Sequence, residues 1–172
     1  MNIRPNLLVV DDEVMNQNII LDLLEDEFEV EFVCNGRECI DSVEHNRPDL
    51  ILLDVNMPVL NGLDTCKHLR KERQFEDLPI IFISALASAQ ERLAGYQAGG
   101  DDYLTKPFEE EELKAKISLL LKVEDDRSKS KEEIRNAMGT AKTALTSSGE
   151  LGAVFHFMKS LLTENNLNAI LA

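Results

Sequence analysis

Residues 50–62 read LILLDVNMPVLNG. Four apolar side chains in succession, Leu50 to Leu53, describe a strand covered on both faces, and the next residue is Asp54, a carboxylate that resists burial unless its charge is compensated. A strand that carries an acid to its own end raises the question of what meets it there.

The same pattern repeats along the chain. LLVV (7–10), VEFVC (30–34), PIIFI (79–83) and DDYL (101–104) are further short apolar runs, and each is followed by a helical pattern such as VMNQNIILDLLEDE or GRECIDSVEHN. Five strand–helix units of this kind predict an open, doubly wound α/β fold with a five-stranded parallel sheet. Ligands of such folds sit beyond the carboxyl ends of the strands. Those ends carry Asp11-Asp12, Asp54, Ser84-Ala85 and Thr105-Lys106-Pro107. Carboxylates gathered on one rim oppose each other's ionisation unless a cation lies among them. An all-oxygen set with few protein ligands suits Mg²⁺, which keeps waters and accepts phosphate oxygens.

Taken together, VVDDE, LLDVNMPVLNG, IIFISA and DDYLTKPF, in this order and at these intervals, resemble the receiver domain of bacterial two-component response regulators from about Leu7 to Lys122. The resemblance implies a (βα)5 flavodoxin-like fold with strand order 2-1-3-4-5. It implies that Asp54 is the phosphoacceptor, charged by a histidine kinase, a phosphotransfer protein or a small acyl phosphate. Asp12, Asp54 and the backbone carbonyl of Asn56 would hold Mg²⁺, or Mn²⁺ in its place, with Asp11 in support. Lys106, Ser84 and the backbone of Ala85 would hold phosphate oxygens. Ser84 and Tyr103 would form the switch, Tyr103 moving from exposed to buried and changing a surface that partners read. Pro107 is expected in a cis peptide, while Pro58 and Gly62 shape the backbone around the site.

Two other classes of function compete. A haloacid-dehalogenase-type phosphatase also uses a strand-end Asp and Mg²⁺, but needs a general acid two residues on; Asn56 stands there, and its amide cannot cycle a proton. A receiver-like module that only binds or dimerises, without phosphorylation, would be expected to lose part of the acid, hydroxyl and lysine set, and none is lost. The protein is therefore expected not to be an enzyme, beyond slow hydrolysis of its own aspartyl phosphate. Asn56 and the apolar Leu86 would flank the water's approach and favour a durable phosphoform.

Charge and composition narrow the partners. The net charge is −14, and the first 122 residues hold 12 basic against 25 acidic side chains. Such a surface repels a phosphate backbone, so direct nucleic-acid binding is not expected. No apolar run approaches the roughly 18 residues needed to cross a bilayer, and the cysteines, Cys34, Cys39 and Cys66, form no framework. A cytoplasmic, bacterial signalling protein is the expectation.

The domain reading is a receiver over 1–123, a linker or helix continuation over 124–132, and a helical extension over 133–172. In the extension, Ile134, Ala137, Met138, Ala141, Ala144 and Leu145 form one apolar stripe, and Leu151, Val154, Phe155, Met158, Leu161 and Leu162 a second. Ser147 to Glu150 offers a break and a capping-box match between the two helices expected there. Self-association or docking of a downstream protein is the expected use of these faces. His156-Phe157-Met158-Lys159-Ser160 only faintly resembles a phosphotransfer motif, since Ser160 replaces its glycine.

Overall fold

A computed structural model describes residues 4–85 and 88–148, with side chains through residue 140. The chain divides between Asp125 and Asp126 into two units. In the first, β1 (Asn6–Val10), β2 (Glu29–Val33), β3 (Leu50–Asp54), β4 (Ile80–Ser84) and β5 (Asp102–Thr105) alternate with α1 (Val14–Leu24), α2 (Gly36–His45), α3 (Gly62–Lys71) and α4 (Ala89–Gln97). A fifth helix, α5, runs Glu110–Ser148.

All strand pairs are parallel, in the order β2-β1-β3-β4-β5, as the strand-helix alternation and the resemblance led one to expect. The apolar runs explain why β3 is central. Leu50, Leu52, Ile81 and Ile83 face one layer with Ile20 and Leu24 of α1 and Leu113 and Ile117 of α5. Ile51, Leu53, Ile80 and Phe82 face the other, with Cys39, Ile40 and Val43 of α2 and Cys66 and Leu69 of α3. Successive strand side chains point to opposite faces, so a strand packed on both sides must be apolar throughout. The edge strand β2, with sequence EVEFV, has no fully buried residue.

Helix starts follow local chemistry. Asn35 accepts from the Arg37 and Glu38 backbone N–H groups at the head of α2, and Asn61 accepts from Asp64 N–H at the head of α3. Ser88 and Glu91 complete a capping box on α4. Residues 124–132 lie inside α5, and the Ile134–Met138 stripe belongs to that same helix rather than to a separate one. Between Glu110 and Met138 there is no glycine or proline, and Asp125–Lys129 and Lys129–Glu133 have the i, i+4 spacing that favours helix. The second stripe, Gly149, Glu150 and the His156 segment lie outside the described residues.

Candidate functional site: a lysine shared by two buried carboxylates

The carboxyl ends of β1, β3 and β5 bring Asp11, Asp54 and Lys106 into direct contact. Lys106 Nζ lies 2.6 Å from Asp11 Oδ2 and 2.9 Å from Asp54 Oδ1. Asp11 is 2% exposed and Asp54 8% exposed, so one ammonium balances two acids largely withdrawn from water.

The two acids are held differently. Asp11 is saturated: Oδ1 accepts from Glu13 N–H at 2.9 Å, and the Asn16 amide reaches both its oxygens at 3.1 and 3.2 Å. Gln17 Nε2 donates to its backbone carbonyl at 2.7 Å. Asp54 has fewer partners, with Asn56 N–H donating to Oδ2 at 2.7 Å and Lys106 on Oδ1. Burial pushes the Asp54 carboxyl above its ordinary pKa, and the Lys106 hydrogen bond and charge offset this only in part. For Lys106, burial pulls downward, yet its hydrogen bonds and charge interactions with Asp11 and Asp54 leave it above the ordinary lysine value. Asp54 thus keeps fewer hydrogen-bond partners than Asp11 at the same rim.

The loop after Asp54 is shaped around it. Val59 has φ 67° and Leu60 N–H donates to the Pro58 carbonyl at 2.8 Å, closing a tight three-residue turn that few β-branched residues adopt. Gly62 N–H then returns to the Val55 carbonyl at 2.9 Å. A Cβ on Gly62 would stand 2.1 Å from the Asp54 carbonyl oxygen, so glycine is required by close approach. The Lys106-Pro107 peptide is cis.

The remaining residues of the expected site are placed as follows. Ser84 is fully buried at the end of β4, one residue beyond the Ile83 that pairs with Asp54, and its carbonyl accepts from Lys106 N–H at 2.8 Å. Ala85, Asp12 and Asn56 are exposed. Tyr103, expected to begin exposed, is already buried here, with its ring centroid 6.3 Å from that of Phe82. Leu86 lies outside the described residues. The sequence reading missed Asn16, in the first turn of α1; its position five residues after Asp11 was the available signal.

Among the described residues, no group of three acidic, histidine or cysteine side chains has metal-binding spacing. The rim instead offers two carboxylates that already converge on one cation, the Lys106 ammonium, with the exposed Asp12 adjoining Asp11 in the chain. An oxygen-only set of this size fits Mg²⁺, which is bound by one or two carboxylates and retains waters. Beside Lys106 opens a groove of about 340 Å³ lined by Asn16, Ile19, Ile20, Lys106, Pro107 and Phe108.

The family model of the response regulator receiver domain matches residues 7–118. Response regulator MprA of Mycolicibacterium vanbaalenii is 43% identical over 116 residues, covering 67% of this chain and 49% of that protein. MprA of Mycobacterium avium is 43% identical over 123 residues, covering 70% and 53%. The chain therefore spans about half the length of the curated relatives it matches. Among solved structures, the chemotaxis response regulator CheY4 of Vibrio cholerae superposes with a TM-score of 0.65 at 30% identity, covering 69% of this chain and 98–99% of such neighbours' own length. The receiver domain of sensor histidine kinase PA1611 from Pseudomonas aeruginosa, solved with a magnesium ion in its active-site cleft, also gives 0.65, at 32% identity. With its strand order, its acid-lysine rim and these matches in agreement, the chain belongs to the response regulator receiver family.

Proposed function

We propose that this protein is a phosphorylation-controlled switch in two-component signalling, with Asp54 as phosphoacceptor. The observation that carries the reading is the convergence of Asp54, at the end of β3, and Asp11 on one Lys106 ammonium, with Asp54 holding fewer hydrogen bonds than Asp11. One Asp54 oxygen attacks the phosphorus of a phosphohistidine or acyl phosphate; the new O–P bond forms as the bond to the donor nitrogen or oxygen breaks, and the donor leaves with that electron pair. Asp11, Asp12, Asp54 and the Asn56 carbonyl would hold Mg²⁺, or Mn²⁺ in its place, which when bound neutralises phosphoryl charge. Lys106 is near enough to transfer its hydrogen bond to a phosphoryl oxygen, and Ser84 and the Ala85 backbone stand on the same rim.

The donor is a histidine kinase or phosphotransfer protein. Val14, Met15 and Ile19 expose apolar side chains on α1, and Ile19 also lines the groove beside Lys106, a surface suited to a docking helix. The protein accepts and slowly sheds its own phosphoryl group, and so turns over no separate substrate. Among the described residues no helix is long and apolar enough to cross a membrane, and the charge of −14 speaks against direct nucleic-acid binding by this stretch of chain. We place it in the cytoplasm, with output through the switch surface or the helical extension.

The test is incubation of wild type and Asp54→Asn with acetyl phosphate and Mg²⁺, read by intact mass and by oligomeric size. A phosphoryl mass gain in wild type alone is expected. Equal gain in Asp54→Asn would remove the assigned site, and no gain in wild type would remove the phosphoacceptor reading.

A further inference from the structure

The groove beside Lys106 is chemically two-sided. Its polar lining is Asn16 and Lys106, and both are engaged with the rim: Lys106 Nζ donates to Asp11 and Asp54, and Asn16 Nδ2 to both oxygens of Asp11. The remaining lining is apolar, from Ile19, Ile20, Pro107 and Phe108. Ile20 is 2% exposed and part of the core, and Phe108 packs against that same core, so two of the four apolar walls are fixed by the fold. Ile19, 49% exposed, is the wall that still meets water. The volume of about 340 Å³ falls among small-ligand sites.

A ligand matched to this groove carries negative charge at one end and a short apolar chain at the other. Lys106 complements the charge, since its ammonium borders the groove and stands 2.9 Å from Asp54 Oδ1. Acetyl phosphate has the charge but only one methyl group to bury. We propose that the groove is a subsite for the acyl chain of small phosphoryl donors, so that short-chain aliphatic acyl phosphates such as butyryl phosphate charge this protein faster than acetyl phosphate. The inference rests on Asp54 as phosphoacceptor and adds the chemistry of the donor. An Asp54 oxygen forms its bond to phosphorus as the bond from phosphorus to the acyl oxygen breaks, and that oxygen leaves with the electron pair as a carboxylate whose chain lies in the groove.

Butyrate and acetate are leaving groups of nearly equal basicity, so the two donors differ in chain length and not in intrinsic reactivity. The test incubates the protein and Mg²⁺ with each donor at equal concentrations well below saturation and reads the initial rate of phosphoryl mass gain, with Asp54→Asn as the blank. Two added methylenes, each worth up to about fourfold on burial, give an expected butyryl-to-acetyl rate ratio of about five to ten. Ile19→Ser and Phe108→Ala each remove an apolar wall and are expected to cut the ratio to about two. Because the ratio is taken within one protein, altered stability or altered Asp54 reactivity cancels. A ratio near one in wild type would overturn the proposal and leave the groove to a protein donor, and a raised ratio that both variants retain would overturn it as well. No mass gain from either donor would instead overturn the phosphoacceptor reading.

Discussion

Leu50–Leu53 and Asp54 are consecutive residues of one strand, yet they are held in opposite ways. The four leucine and isoleucine side chains are buried in the two apolar layers that flank the sheet. Asp54 is nearly as buried, but its surroundings answer its charge only in part. The interior of the sheet is apolar on both faces, and its carboxyl rim holds a carboxyl whose pKa burial raises above the ordinary value. The proposed phosphoacceptor is accordingly the less fully hydrogen-bonded of the two acids, Asp54, and not Asp11.

This contrast can be broken most strongly from the interior. Leu53→Ala removes a fully buried side chain, and a loss of about 2–5 kcal/mol in denaturant unfolding is expected while the rim residues remain unaltered. Gly62→Ala acts where the two regions join, since its Cβ would press on the Asp54 carbonyl. A loss of about 1–3 kcal/mol is expected, with slower labelling by acetyl phosphate; full stability with normal labelling would show that the loop gives way freely.

The rim responds with a smaller effect and a particular pH signature. Asp54 has a raised folded pKa, so its protonated form adds stability below the unfolded value near 3.8, and that contribution is lost as pH rises toward the folded value. Without Mg²⁺, Asp54→Asn is therefore expected to be at least as stable as wild type at neutral pH, with its advantage shrinking as the solution is acidified toward pH 3.8. Lys106 behaves in the opposite range: its raised pKa contributes stability that persists through neutrality and is lost as pH climbs above 10.5. Urea melts of wild type, Asp54→Asn and Lys106→Met across these windows check both signs.

The smallest expected change is in the loop. Val59→Gly relieves a positive φ that costs an L-residue about 1–2 kcal/mol, against an entropic cost of glycine of about 0.5–1 kcal/mol. A net gain of about 0.5–1 kcal/mol in stability is expected.

The sequence carried the sheet plainly, because uninterrupted apolar runs such as LILL admit only a strand packed on both faces. It also carried the meeting of Asp11, Asp54 and Lys106 on one rim, since parallel strands bring their carboxyl ends to one edge whatever their order. It did not carry the different hydrogen bonding of Asp11 and Asp54, which depends on Asn16 and on backbone N–H groups that no residue pattern announces. Nor did it separate linker from helix over 124–132: charged and serine-rich segments look alike in both, because neither buries a face. The burial of Tyr103 against Phe82 was not legible, since the reading expected this ring to begin exposed.

The most direct measurement is chemical mapping of the phosphoryl group. After acetyl phosphate and Mg²⁺ treatment, borohydride reduces an aspartyl phosphate to homoserine, and peptide sequencing by mass spectrometry locates the reduced residue. Homoserine at position 54, with Asp11 and Asp12 unmodified, is the expected result. Homoserine at Asp11 or Asp12 with Asp54 intact would contradict the account.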